Sequence, residues 1–465
     1  MERTNILTQL IDVCWDWASG RRYDASQIGE LRRKMILENH AYYTEHIPLY
    51  RKLAAEEGCG KDTDIDSIRK KMMLSADVFK SYRQSWLDEN DYDSMNRWLS
   101  GIFHRTIEVD VQGVNTIDRW IDRLGMAGVH VVYSSGTSGT FSFVPRDKDD
   151  WKLAAELNTS YLTPLLASRI SGNPFKEKFV KSAFRILPAG TFSRLSGNKR
   201  LTGFDAVFLG FRGGRMGNQT LITELAPLFR SVSYLYDIEI TGNALRCITR
   251  GARNEEELRT VQALQEETVG RHEENYRRIT DRIRTSTEAG QKVFIFGAPY
   301  QFKELCEFIA GSNRKPVLKK GSFVLFGGGW KSFTGETVDR ESLVNLLSGS
   351  LNIPSQMVLE GYSMTEINAL TLRCEHGRFH IPPVIEPVIF DEELNPVKGN
   401  DIRGVYGFLD PMAVSYPGFL ISGDYVRMVE GTCECGLSGP AVTEIGRVAG
   451  SEIKGCGGIM SSMQA

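Results

Sequence analysis

Lys292–Gly297 (KVFIFG), Ser322–Gly327 (SFVLFG) and Gln356–Gly361 (QMVLEG) are three short, almost wholly apolar runs, each closed by a glycine. Between them, residues 300–311 and 339–349 read as helices. Near-continuous apolar strands alternating with helices require a sheet covered on both faces, so the spacing predicts an α/β fold. In such sheets ligands collect beyond the carboxyl ends of the strands. The residues at those ends are Ala298-Pro299, Gly327-Gly328-Gly329-Trp330-Lys331 and Tyr362-Ser363-Met364-Thr365-Glu366.

Working towards the N-terminus, Val129–Val132 read as the end of a buried strand, and Phe141, Phe143 and Val144 as a second short one. The loop between them, Ser134-Ser135-Gly136-Thr137-Ser138-Gly139-Thr140, is all Gly, Ser and Thr. Glycines let backbone N–H groups turn towards an anion without Cβ clashes, and the hydroxyls add donors. No Gly-Lys-Ser/Thr closes the loop, so it is not a Walker A motif. Its alternative reading is a polar hairpin. Asp147–Ser168 is expected to be a helix that Pro164 kinks or ends early. The Gly- and Arg-rich segment 191–219 reads as a solvated connection rather than a loop over the site. Glu255–Arg284 reads as one long charged surface helix. Residues 1–120 are mostly helical, with Trp15 and Trp17 as core.

The chain of 465 residues has room for more than one core. A net charge of −2 gives no reason to expect nucleic acid or an anionic membrane as partner. No apolar run reaches the length of a membrane span, and the N-terminus is too polar for a secretory signal, so the expected location is cytoplasmic. Eight cysteines in this length are not a disulfide scaffold. Cys14, Cys59, Cys247 and Cys306 are scattered, whereas Cys374, Cys433, Cys435 and Cys456 crowd the last fifth of the chain.

The order YSSGTSGT, GYSMTE, SGDYVRM (422–428) resembles the adenylate-forming superfamily. The stronger resemblance is to the acyl-protein synthetases of the LuxE type, and a more distant one to phenylacetate-CoA ligases. It is carried by SSGTSG with Asp147, FGAP (296–299), FGGGWKSF (326–333), CEHGRFHIPP (374–383), DPMAVSYPGF (410–419), CECG (433–436) and IGR…IKGCG (445–457). The N-terminal helical part matches only through HIPLYRK (46–52) and DVFKS (77–81).

The resemblance implies an adenylate-forming α/β core over 121–446, a helical region over 1–120 packed on it, and a short hinge-like tail over 447–465. It implies ATP and Mg²⁺. The loop at 134–140 would cradle the β- and γ-phosphates, Thr365 would contact the α-phosphate, and Glu366 would hold Mg²⁺. Tyr362 would stack on adenine, Gly327, Gly328 and Gly329 would line the same slot, and Asp424 would take the ribose hydroxyls with Arg447 nearby. Lys331 is either a carboxylate or phosphate contact or plain surface. Cys456, between two glycines and two residues from Lys454, matches a cysteine that carries the acyl group as a thioester in these synthetases; its alternative is an inert thiol in a hairpin. Full adenylate-forming enzymes continue into a mobile domain that supplies a lysine; that domain is expected to be missing here, leaving its role to another group or subunit.

Cys374, Cys433 and Cys435 with one imidazole form the ligand set of a closed tetrahedral zinc site, against four unrelated residues with reduced thiols. His376 and His380 both qualify, and the phenylacetate ligase resemblance favours His380. The expected function is therefore activation of a fatty or aryl acid as its acyl-adenylate, then transfer to a thiol. The acceptor would be Cys456 or a partner, such as an acyl-CoA reductase, an acyltransferase or a carrier protein. The rivals are an acyl- or aryl-CoA ligase and a non-catalytic nucleotide- or acyl-binding subunit.

Overall fold

The computed structural model describes residues 2–20, 24–134, 140–171, 203–312, 315–330 and 337–448. Its strands are β1 (Leu74–Ser75), β2 (His130–Ser134), β3 (Ser142–Arg146), β4 (Phe204–Gly214), β5 (Ser231–Ile240), β6 (Lys292–Gly297), β7 (Phe323–Gly327) and β8 (Val358–Tyr362). They continue with β9 (Thr371–Leu372), β10 (Phe379–His380), β11 (Glu386–Phe390), β12 (Pro396–Val397), β13 (Asp401–Leu409), β14 (Phe419–Val429) and β15 (Ala441–Arg447). Helices fill most of the first 126 residues, as expected, and alternate with the strands from β4 to β8. The fold is α/β.

The three glycine-closed runs are adjacent strands of a six-stranded sheet in the order β5-β4-β6-β7-β8-β9. All its pairings are parallel except the last. Period-two alternation sends Val293, Ile295, Val324 and Phe326 to one face, under the helices His272–Glu288, Pro299–Ala310 and Arg340–Leu351. Phe204, Ala206, Phe208, Phe294, Phe323 and Leu359 go to the other face. Both faces are covered, which is why the strands are apolar throughout.

The second sheet runs β10-β15-β14-β13-β11-β12, with β1 added in parallel to β14. It shares one core with the N-terminal helices. Among the described residues, the buried members of that core come from residues 6–161 and 369–442, with none between. Trp15 and Trp17 are buried as expected, and Trp17 Nε1 donates to the Ser438 carbonyl at 2.9 Å. Asn39 Nδ2 donates to the carbonyls of Pro411 and Ala413, each at 3.0 Å.

Three expectations are corrected. Segment 203–219 is not a solvated connection: Phe204–Gly214 is an interior strand, its apolar half buried, and only its glycine- and arginine-rich end resembles a loop. The helix Lys148–Ser171 runs through Pro164. Proline removes one donor from the ladder, but packing holds the turn: buried Tyr161 meets the Trp17 ring and donates to the Leu370 carbonyl at 2.6 Å. The long charged helix is two, Glu255–Gln265 and His272–Glu288, joined by a π turn at Glu266–Gly270. The extra residue of that turn brings Glu267 inward, where it accepts the Asp237 N–H at 3.1 Å. The second helix is no surface helix, since Tyr276, Ile279 and Ile283 are fully buried.

Candidate active site and metal centre

At their carboxyl ends β7 and β8 pair Gly327 with Gly361. Built on Gly327, a Cβ would lie 2.8 Å from the Gly361 carbonyl oxygen, so only glycine permits this approach of the two strands. Gly328 and Gly329 follow at φ of 83° and 64°, turning the chain away in a conformation that side chains disfavour. Tyr362 closes β8, and the loop Ser363–Asn368 follows it.

Opposite this loop stands the β2–β3 hairpin, whose last pair is Ser134 with Ser142. Ser142 Oγ donates to Glu366 Oε1 at 3.1 Å, so the hairpin stem and the loop carboxylate meet. Residues 135–139 of the hairpin loop lie outside the described residues, as do Lys331 and Cys456. A third element arrives at the same point. The helix Gly217–Leu225 starts so close that a Cβ on Gly217 would stand 3.3 Å from Thr365 Oγ1. Met216, just before it, bridges to Tyr133 of β2.

On the other side, Asp424 lies in mid-strand, opposite Arg447 in the β14–β15 register. It is therefore not a turn residue. Arg447 Nη1 is 3.0 Å from Asp424 Oδ1, and Tyr362 donates its hydroxyl to Asp424 Oδ2 at 2.7 Å. Burial and the Asp424 charge push the Tyr362 hydroxyl well above its usual range, so it stays a donor. The Tyr362 ring is set edge-on to Phe379 at 5.9 Å. The role in fixing Asp424 was invisible in the sequence.

Beneath the loop lies a buried polar network that motif reading also missed. Arg146 of β3 donates to the Thr365 carbonyl at 2.7 Å, to Tyr416 Oη at 3.1 Å and to Asn368 Oδ1 at 3.3 Å. Tyr416 donates to the Glu366 carbonyl at 3.2 Å. Asp410 Oδ2 accepts both the backbone and the side-chain N–H of Asn368, at 2.9 and 3.0 Å, and Oδ1 accepts the Met412 N–H at 2.9 Å. Nearby, Asp150 Oδ2 accepts the N–H groups of Val414 and Ser415 and the Ser415 hydroxyl, at 3.0, 2.7 and 2.6 Å. Burial pushes Asp410 up, and holds Asp150 at about 7. The stretch DPMAVSYPGF contains Asp410 and Tyr416, which was the available signal.

The second cluster is Cys374, His380, Cys433 and Cys435, whose ligand atoms all lie within 4.8 Å of one another. Two turns of the same pattern build it. The Cys374 N–H donates to the Arg378 carbonyl and the Gly377 N–H to the Cys374 carbonyl. The Cys433 N–H donates to Leu437 and the Gly436 N–H to Cys433 in the same way. Both glycines take positive φ, 78° and 90°, which accounts for the Gly in each of CEHG and CECG. His380 joins them from β10, which pairs with β15. The Cys374 and Cys433 sulfurs are 3.8 Å apart, and Cys435 Sγ is 3.2 Å from His380 Nε2. A tetrahedral site with zinc–sulfur bonds of roughly 2.3 Å has sulfur–sulfur edges of about 3.8 Å, so the donors fit that ion. His376, the rival imidazole, is outside the group and lies 3.5 Å from Glu434. Burial pushes the Cys435 thiol up to about 12 and the Cys374 thiol up as well.

Residues 267–464 match the family model described as acyl-protein synthetase, LuxE. A long-chain-fatty-acid–luciferin-component ligase of Vibrio harveyi is 26% identical over 178 residues, 37% of this chain and 46% of that protein. Its counterpart in Aliivibrio fischeri is 25% identical over 134 residues, 28% of this chain and 35% of that protein. The chain thus spans less than half the length of either relative. Over these stretches it is similar to acyl-protein synthetases of the LuxE type. Among solved structures, an open form of 2-hydroxyisobutyryl-CoA ligase is 14% identical at a TM-score of 0.49, covering 93% of this chain and 76% of that one. ATP-bound MatB from Rhodopseudomonas palustris is 14% identical at a TM-score of 0.35, covering 68% of this chain and 48% of that one.

Proposed function

We propose that the protein activates a carboxylic acid with ATP and passes the acyl group to a thiol. The acid's oxygen attacks the α-phosphorus and pyrophosphate leaves; a thiolate then attacks the acyl carbon and AMP leaves. The observation that carries this reading is the meeting of Glu366 and Thr365 with the hairpin stem on one side, while Tyr362, Asp424 and Arg447 stand on the other. Thr365 faces the α-phosphate, Glu366 holds Mg²⁺, and the residues 134–140 with Gly327–Gly329 hold the rest of the nucleotide. Asp424 takes the ribose hydroxyls. Bound Mg²⁺ supplies charge neutralisation for the departing pyrophosphate.

The relatives' name makes long-chain fatty acids the first panel to assay, with aryl acids the second. The acceptor is Cys456, or the thiol of a partner such as an acyl-CoA reductase, acyltransferase or carrier protein. Carboxylate-dependent pyrophosphate exchange tests the reading. Exchange lost in Glu366→Ala and retained in Cys456→Ala supports separate activation and transfer; no exchange with any acid overturns it. A covalent acyl adduct on Cys456 by mass spectrometry, rather than soluble acyl-CoA, identifies the acceptor.

The Cys374–His380–Cys433–Cys435 group holds structural Zn²⁺ in this reading, since four protein ligands leave no open position. Metal analysis is expected to give one zinc per chain in the purified protein and none in Cys433→Ser. Among the described residues no helix is long and apolar enough to cross a membrane.

A further inference from the structure

We infer that Arg146, with Tyr416, is a positioning residue for the loop that carries Thr365 and Glu366. The inference rests on the proposed carboxylate activation. Arg146 and Tyr416 are 4% and 0% exposed, and Asn368 and Asp410 beneath them 3% and 0%. Taking a guanidinium and a carboxylate out of water costs several kcal/mol per ion, by order of magnitude, and apolar residues of similar volume commonly serve stability as well. What the polar set provides instead is direction. Two consecutive carbonyls, Thr365 and Glu366, are each gripped from below, by Arg146 and Tyr416 respectively.

The far end of the same loop is pinned through Asn368. Its N–H goes to Asp410 and its carbonyl accepts Asn158 Nδ2 at 2.7 Å. With the backbone fixed at both ends and in the middle, the loop has one course, and on that course the Glu366 carboxylate reaches Ser142 of the hairpin stem. Arg146 is also the last residue of β3, the return strand of that hairpin, and its guanidinium lies over the Tyr416 ring at 4.9 Å. One side chain therefore sets the distance between the two halves of the nucleotide site. Its five-donor fork reaches three acceptors at once, which a lysine ammonium on a flexible stem does not reproduce.

Two variants test this, Arg146→Lys and the milder Tyr416→Phe, which removes one hydroxyl without changing the ring. Two readouts are taken: binding of Mn²⁺·ATP followed by the Mn²⁺ spin-resonance signal, and the exchange rate at saturating acid. Arg146→Lys is expected to weaken Mn²⁺·ATP about tenfold and Tyr416→Phe severalfold, the loss of one or two hydrogen bonds. Exchange kcat should fall in parallel, while half-saturation by the acid stays unchanged and the circular dichroism is that of the parent. Should Arg146→Lys fail to fold, Tyr416→Phe alone decides. Folded Tyr416→Phe with parental Mn²⁺·ATP affinity and exchange overturns the positioning role and leaves the proposed function intact. A parent protein that binds Mn²⁺·ATP but exchanges with no acid removes the proposed function, and the binding data then judge the positioning role alone. No binding by the parent overturns both.

Discussion

The two carboxylates of the candidate site, Glu366 and Asp424, are held by different means. Glu366 sits on a loop whose course is dictated by side chains beneath it: Arg146, Tyr416, Asn368 and Asp410. Asp424 sits in β14, paired with Arg447 of β15 and facing a register shift on the β13 side, where Ser422 Oγ accepts its N–H at 3.2 Å; Tyr362 and Arg447 touch its oxygens. A loop has no repeating hydrogen bonds of its own, so its geometry must be imposed by particular residues. A strand inherits its geometry from its register. Loss of a supporting residue should therefore harm the first site through the loop's course, and through stability where buried donors are stranded, whereas loss of the carboxylate itself should harm the second through binding.

The contrast is broken or kept by paired variants. Asp410→Ala strands three N–H donors in the core and is expected to lower unfolding free energy by about 3 kcal/mol or more in urea titrations. Asp424→Ala should cost no more than about 1 kcal/mol in the same titration, because the ladder remains. It should instead raise the ATP concentration for half-maximal exchange roughly ten- to a hundredfold, the worth of hydrogen bonds to a charged group. Equal destabilisation by the two variants would erase the distinction.

A pH series sharpens it. Burial raises Asp150 from an ordinary carboxylate value to about 7 in the folded protein. Between about pH 4 and pH 7 the folded form keeps a proton that the unfolded form has released. This group's contribution to stability is therefore full below the lower value and declines as pH rises towards the upper. Urea midpoints from pH 4.5 to 8 should show that decline in the parent and a flatter profile in Asp150→Asn; parallel profiles would count against a buried protonatable support. The smallest effect is expected from Tyr362→Phe. It removes one hydrogen bond to Asp424, worth about 0.5–1.5 kcal/mol, so ATP affinity should fall severalfold with thermal stability nearly unchanged.

How much of this was legible in the sequence depended on how local the cause was. The strands β6, β7 and β8 declared themselves because each carries a run of buried apolar residues with a glycine at its end or one residue before it. The cluster of Cys374, His380, Cys433 and Cys435 declared itself by residue type, since three cysteines and a histidine in one region are the donor set of a closed zinc site. β4 was hidden because its arginine- and glycine-rich end lies next to its apolar half and masks it. The helix was legible, but its run through Pro164 was not, because the contacts of Tyr161 with Trp17 and Leu370, both distant in sequence, overrule the local signal. The support network was hidden for the same reason: nothing in Arg146 or Asn368 as residue types announces that they meet, 222 residues apart, through a hydrogen bond.

The shared core of residues 6–161 and 369–442 has a consequence for the birth of the protein. Leu74 of β1 lies beside Leu420 of β14, a pairing that cannot form until the chain has left the ribosome as far as Leu420. The parallel sheet, by contrast, draws its cores from residues 204–359 and can close earlier. During synthesis the first helices must wait with their apolar faces unmatched while the middle of the chain folds. That interval is when aggregation competes and when a holding chaperone has something to hold. Of these cores, the one drawn from residues 204–359 is thus the first that can close, and the core shared by residues 6–161 and 369–442 closes later.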